Sequence, residues 1–282
     1  MREFLRKHLK AFAAPLVLPL LFLLFWEIMA EGMANPTVLP SPGEVGAVLL
    51  HPLSDLVAMG SLISNIAISL ARVLAGFFMS ALIGVPLGLL MGYSLTVDRL
   101  LVGIIALLRS IPPLAWVPLL LAWCGMGSLG SLFNVQVGPF YSFSHNIKIS
   151  MISLIFIGGF YPVLTSAVHG VRQVPATWLD ASRILGASGR DIFLKVLLPG
   201  ATPDIVSGLR IGLGVCWTCL VSAEMLPGSP SGLGFIITHA YSLGRTDVVI
   251  SGMVSIGLVG ALLDWIFRTI EERKFAWKRL QR

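Results

Sequence analysis

Apolar runs of about 20 residues recur along this chain, long enough to cross the hydrocarbon core of a bilayer as helices. Six such runs are read: 11–30, 61–92, 99–123, 150–168, 203–226 and 247–266. The polar intervals between them are not alike. Residues 1–10 carry Arg2, Arg6, Lys7 and Lys10, and the segment after Ile266 is basic again, whereas Glu31 to Gly60 holds no Lys or Arg and contains Pro36, Pro40, Pro42 and Pro52. That interval reads as an outside loop with room for one short surface helix.

Several runs are interrupted in ways that carry information. Gly84, Gly88 and Gly92 clear one face of the second run so that a neighbouring backbone can approach, and Pro86 predicts a local kink. Pro112, Pro113 and Pro118 break the third, and irregular backbone at membrane depth survives only where protein or a water-filled cavity satisfies the freed carbonyls. This span therefore reads as lining a pathway. Gly208 and Gly212 give the fifth span a small face, and Thr202 followed by Pro203 reads as its N-cap and first residue. Cys124 to Ile149 reads as an enlarged outside loop or a re-entrant segment, the first being preferred, and Pro227 to Thr246 as an outside loop rich in Gly and Ser.

The stretch from Thr177 to Gly200 stands apart as a polar, capped island. Thr177 with Asp180, and Ser188 with Asp191, have the form of capping boxes. Gly186 sits where a turn needs a left-handed residue, and Pro199 with Gly200 reads as a stop, giving two short helices joined at Gly186 to Ser188. By spacing alone this is an amphipathic loop on a membrane surface or a helix-turn-helix, and the apolar flanks leave no room for a soluble DNA-binding domain.

Composition and charge sharpen the pattern. Hydrophobic residues make up 56% of the 282 and charged ones 12%, which makes this an all-α membrane protein. The net charge of +6 reflects placement and not nucleic acid. With both ends inside, fifteen of the 20 Lys and Arg fall in inside segments and two in outside ones, as the positive-inside rule requires. A basic head before an apolar run also fits a cleaved signal peptide, although the run is long for a signal core, and a retained first span is the preferred reading.

The loop's residues also carry a resemblance. Asp180-Ala181-Ser182, Gly186 and Leu198-Pro199 are similar to the Glu-Ala-Ala…Gly…Leu-Pro loop of the membrane permease subunits of binding-protein-dependent ABC importers, with Asp180 for Glu and Ser182 for Ala. Leu39 to Pro42 is similar to a run that follows the first span in the same family, and Ser69 to Phe77 and Leu108 to Trp123 resemble its nitrate, sulfonate, taurine and bicarbonate branch. The resemblance implies six transmembrane helices with both ends cytoplasmic and a cytoplasmic coupling-helix loop, residues 176–200, between spans four and five. The cytoplasmic N-terminus would be 1–10 and a single permease domain 11–282. It also implies a bacterial plasma-membrane location, a second copy of the chain, two ABC ATPase subunits that bind ATP and Mg, a solute-binding protein, and import of a small anion of nitrate, sulfonate/taurine or bicarbonate type, with a thiamine-precursor pyrimidine as a further solute of that branch.

Candidate pathway residues are Arg72, Arg109, Pro112, Pro113, Arg210 and Glu224. An ionisable group near the bilayer centre must face a cavity, a partner or an interface, so each arginine reads either as part of an anion route or as a paired group, for instance with Glu224. Asp264 and Arg268 at i, i+4 read as a pair. Cys216 and Cys219 have CxxC spacing, but inside an apolar span they read as packing residues. No two of the five His sit at metal-ligand spacing, and no Gly-Lys-Ser/Thr, G-x-S-x-G or H-E-x-x-H motif occurs. No enzymatic activity, metal or cofactor is expected of the chain itself. The alternative to the importer is an ion-coupled secondary transporter, which calls for mid-span acidic or His residues and internal repeats.

Overall fold

The computed structural model describes residues 2–125, 127–132, 145–225, 229 and 231–274, with side chains from residue 17 onward apart from 129 and 132. Ten helices carry the argument: α1 (Arg2–Met33), α2 (Pro42–Leu50), α3 (Leu62–Tyr93), α4 (Leu95–Arg109), α5 (Val117–Cys124), α6 (Ile149–Arg172), α7 (Ala176–Ile184), α8 (Gly189–Glu224), α9 (Leu233–Ser242) and α10 (Thr246–Lys274). Among the described residues there is no strand, only two isolated bridges. By length and composition α3, α6, α8 and α10 can each cross a membrane, and α4 with the Pro113–Cys124 segment makes one further span bent by 89°.

The chain divides into two compact units, Met1–Ser64 with Ile236–Ser255, and Asn65–Phe235 with Ile256–Arg282. In the first, the expected surface helix is α2. Ser41 accepts from the Glu44 N–H while Glu44 accepts from the Ser41 N–H, a complete capping box. The Trp26 indole donates to the Pro40 carbonyl at 2.9 Å, Thr246 to the Thr37 carbonyl at 2.5 Å and Ser251 to the Val45 carbonyl at 3.3 Å. These bonds tie α1, the 35–40 turn, α2 and the start of α10 together.

In the second unit, α3, α6 and α8 pack through glycines. A Cβ at Gly84, Gly88 or Gly92 would meet Val163, Ala167 or Val171 of α6, and one at Gly208 or Gly212 would meet Ser166 or Val163. Cys216 and Cys219 fill the spaces over Gly159 and Gly158, so the CxxC pair packs as read. The broken third span is also present. α4 ends at Arg109, Ser110 to Pro112 carry no helix, and a 3-10 turn over Pro113–Trp116 leads into α5.

Four local expectations are overturned. Thr177 does not cap α7: the helix begins at Ala176 behind Pro175, with no side-chain cap, because proline already supplies the fixed φ a helix start needs. Pro199 and Gly200 do not stop the chain, and Thr202-Pro203 does not start a new helix. Helix α8 runs through all of them by loosening into a π-helical stretch at Phe193–Leu197, which absorbs the ring and missing donor of Pro199. Thr202 instead donates to the Leu198 carbonyl at 2.7 Å within the helix. The 227–246 interval holds α9, an apolar helix where a loop was expected. Of the Cys124 to Ile149 interval, residue 126 and residues 133–144 lie outside the described residues, so neither the enlarged-loop nor the re-entrant reading is tested.

Candidate functional site

The loop after α6 exposes what the helices otherwise hide. Helix α7 ends at Ile184 with Leu185 as its C-cap, and Gly186 turns the chain at φ +80, a left-handed conformation that glycine adopts without strain. Ser188 then caps α8, accepting from the Asp191 N–H at 3.3 Å and donating to the Asp191 carboxylate at 2.5 Å. The Lys195 ammonium, 2.7 Å away, and the Ser188 hydroxyl hold the Asp191 carboxyl down at about 2. Asp180 pairs with Arg183 at 3.0 Å, and Ser182 bonds back to the Trp178 carbonyl. Ala181 lies between them on α7. Ile184 and Leu185 are each 86% exposed and Trp178 is exposed too, an apolar edge beside the turn. Leu198 and Pro199 sit further along α8, where Ile192 and Leu197 join a core cluster with Ala201 and Ile205.

The second feature is a buried polar knot. Asn65, Ser69 and Arg72 share one face of α3 at i, i+4 and i+7. The Arg72 guanidinium donates to Glu224 Oε1 at 2.7 Å, to the Ser231 carbonyl at 2.8 Å and hydroxyl at 3.1 Å, and twice to the Asn146 carbonyl at 2.6 and 3.0 Å. All five of its donors are thus used. Glu224, the last residue of α8, also accepts from Ser69 at 2.8 and 2.9 Å and from the Gly234 N–H at 3.1 Å. Asn65 accepts from the Gly232 N–H at 2.7 Å and Ser69 from the Leu233 N–H at 3.0 Å. Gly232, at φ +114, lies where a Cβ would strike the Glu224 carboxylate. Pairing with Glu224 was open to each of the three candidate arginines, and Arg72 is the one that makes it. The Asn65/Ser69/Arg72 stripe was not anticipated, although its helical period was there to be read.

The other arginines are placed differently. Arg210 bonds Asp264 at 2.6 Å and Glu271 at 3.5 Å, while Arg268 bonds Glu272 at 3.0 Å. The expected Asp264–Arg268 pair is therefore not made: Asp264 faces α8, and Arg268 takes the next carboxylate along its own helix. Arg109 ends α4 and lines a cavity of about 280 Å³ with Ile111, Pro113, Gly158, Tyr161, Pro162 and Thr165, so Arg109 and Pro113 share one cavity, while Pro112 precedes Pro113 in the chain and is not part of the lining. Among the described residues no group of three His, Cys, Asp or Glu is placed to hold a metal.

Among the described residues, several membrane-length helices, one further broken span beside a cavity and no strand define a polytopic α-helical membrane protein. Residues 84–275 match the family model described as the inner membrane component of binding-protein-dependent transport systems, and the chain belongs to that family. It is a permease subunit of the ABC transporter class. A putative ABC transporter permease protein of Methanocaldococcus jannaschii is 45% identical over 265 residues, covering 94% of this chain and 92% of that protein. The taurine transport system permease protein TauC of Escherichia coli is 36% identical, covering 92% and 87%. The nitrate import permease protein NrtB of Synechocystis sp. is 33% identical, covering 91% and 87%. Among solved structures, the MetNI methionine ABC transporter in an inward-facing conformation shares the fold with a TM-score of 0.61 at 20% identity, covering 75% of this chain and 95% of that one.

Proposed function

We propose that this chain forms the membrane pathway of an ATP-driven importer for a small anion of nitrate, sulfonate/taurine or bicarbonate type. The relatives' names supply the solute class: they are permeases for taurine, aliphatic sulfonates, nitrate and bicarbonate. Two copies of the chain pair in the cytoplasmic membrane, with two ATPase subunits on the inside and a solute-binding protein outside. The ATPases bind ATP and Mg; this chain binds neither and hydrolyses nothing. It spans the membrane six times with both termini cytoplasmic, counting α1 as the first span and the broken segment as the third. The charge asymmetry of the intervals supports that orientation.

The observation that carries the reading is the loop from 176 to 200. Helix α8 has 36 residues, about 54 Å at 1.5 Å per residue, against a hydrocarbon core of ~30 Å, so several turns must project from the membrane. The projecting end is the one joined through Gly186 to α7, with Ile184, Leu185 and Trp178 uncovered. Asp180, Ala181, Ser182, Gly186, Leu198 and Pro199 are the residues of the coupling element. The exposed edge docks in a groove of the ATPase, and the continuous helix behind it passes the ATPase's closure straight into the spanning part of α8. Closure opens the pathway outward, the binding protein releases its solute, and hydrolysis resets the pair. Arg72 with Glu224, and Arg210 with Asp264, act as structural pairs rather than pathway groups.

Purification from the native membrane in mild detergent, with mass spectrometry of what accompanies the chain, tests this directly. The expected result is a Walker-type ATPase in the preparation and ATP-dependent uptake of a small anion by vesicles carrying the complex. A stable chain without an ATPase, whose transport follows an ion gradient and survives ATP depletion, would establish the secondary transporter instead.

A further inference from the structure

Of the three arginines read as candidate pathway residues, two are neutralised by carboxylates: Arg72 by Glu224, and Arg210 by Asp264 and Glu271. Arg109 forms no ion pair among the described residues. Its cavity is lined by Tyr161 and Pro162, halfway along the 24-residue α6, one of the helices long enough to cross a membrane. A charge at membrane depth is costly unless water or a counter-charge reaches it. The Tyr161 hydroxyl likewise has no bonding partner among the described residues. The Thr165 hydroxyl is occupied, donating to the Tyr161 carbonyl at 2.8 Å. The donors available to a solute here are therefore a planar guanidinium and a phenol.

A second cavity, of about 430 Å³, follows along α6. It is lined by Thr165, Ser166, His169, Asp204, Ser207 and Ile211. Thr165 belongs to both, so the two are consecutive along one helix face, leading from the middle of α6 towards the end that enters the coupling loop. Hydroxyls and an imidazole line the second chamber, together with the Asp204 carboxylate, and it contains no Lys or Arg.

We propose that the Arg109–Tyr161 cavity is an oxyanion-binding station in mid-pathway, and that the Thr165-to-Ser207 chamber is the exit through which the anion leaves it. A planar carboxylate-like or nitrate-like anion, or one face of a sulfonate, takes two parallel N–H bonds from Arg109 and one O–H bond from Tyr161. Below Thr165 the lining holds no Lys or Arg to replace that hold, so the lower chamber passes the anion on. The station provides a second selection for charge after the binding protein, which a neutral solute of the same size would fail.

This proposal rests on the importer reading, and the test separates the two. The co-purified complex, with its ATPase and binding protein, is placed in liposomes, and uptake of nitrate and of taurine is compared for the parent, Arg109→Gln, Arg109→Lys and Tyr161→Phe. The expected result is a loss of maximal uptake of at least about tenfold for Arg109→Gln and several-fold for Tyr161→Phe, on the size of charge-assisted hydrogen bonds. Arg109→Lys keeps the charge but loses the bidentate fork, so its rate should fall between those of Arg109→Gln and the parent, and a rate equal to the parent's would rule out the bidentate hold. Stimulation of the ATPase by loaded binding protein should stay within about twofold of the parent for all three, because no coupling contact is touched. Anion uptake by Arg109→Gln equal to the parent's would remove the site while leaving the importer reading intact. If both Arg109 variants fail to assemble, Tyr161→Phe decides, and unchanged uptake by it overturns the proposal. A parent complex that imports only a neutral or cationic solute would remove the anion class and this station together.

Discussion

Arg72 Nη1 lies 2.7 Å from Glu224 Oε1, and both side chains are fully excluded from solvent. A buried pair of this kind holds structure together more by the cost of breaking it than by its net worth, since its attraction mainly offsets the desolvation of two charges. The Arg72→Gln or Glu224→Gln single variant should therefore lose about 3–5 kcal/mol, the size found when one partner of a buried pair is removed. Thermal unfolding of the detergent-solubilised complex reads this. Arg72→Met with Glu224→Leu should recover only part of the loss, because the Asn146 carbonyl loses both of the bonds it accepts from Arg72. Equal stability of the single variants and the parent would show that the pair is not closed in the membrane.

Gly186 allows backbone and charge effects to be separated. No atom lies within 4 Å of the position a Cβ would take, so Gly186→Ala costs only the strain of a left-handed alanine, ~1 kcal/mol. It should leave uptake within about twofold of the parent, since strain of that size is absorbed locally. Gly186→Asp adds a charge on the docking edge and should abolish both uptake and stimulation of the ATPase while the chain still accumulates in the membrane. Full stimulation in Gly186→Asp would show that the loop is not the coupling element.

The cap of α8 has a defined pH range. Asp191 is held at about 2 by Lys195 and Ser188, below an unfolded value of roughly 3.9. A depressed carboxylate contributes its stabilisation in full above the unfolded value and loses it as pH falls through the folded one, here between about 4 and 2. The coupling loop should therefore not titrate through Asp191 between pH 5 and 8. The ratio of parent to Asp191→Asn uptake should be flat across that range, and a ratio that changes between pH 5 and 8 would contradict this.

Two glycines on membrane helices should respond oppositely to alanine. At Gly88 a Cβ would fall 2.6 Å from the Ala167 side chain and the Leu164 carbonyl, so Gly88→Ala forces α3 from α6 and should cost about 1–3 kcal/mol. At Gly103 nothing lies within 4 Å, and Gly103→Ala should gain about 0.5–1 kcal/mol from helix propensity. Melting temperatures of the two variants check the pair, and a loss at Gly103 would locate a subunit contact on α4.

What could be read in advance divides by the range of the interaction concerned. The helices followed from apolar length, the break in the third span from its prolines, and the Gly186 turn from the one residue type that tolerates it. The Ser188 cap was equally legible, because a capping bond spans three residues. The Thr177 cap failed at the same range, since Pro175 offered a competing helix start. Pro199 and Gly200 misled for a related reason: a proline ends an isolated helix, but α8 is held on both sides by packing and met the ring with a π-helical turn.

The chain's own sequence was enough to determine that it is a membrane protein with alternating charge, a broken span and a polar loop, because bilayer thickness and local backbone chemistry act on each segment separately. Which charges neutralise each other was decided only in three dimensions. Arg72 finds Glu224 across 152 residues, Arg210 takes Asp264 away from Arg268, and Arg109 is left facing a cavity. Such partners are chosen by how α3, α4, α6, α8 and α10 pack, and no periodicity within a single helix encodes that choice.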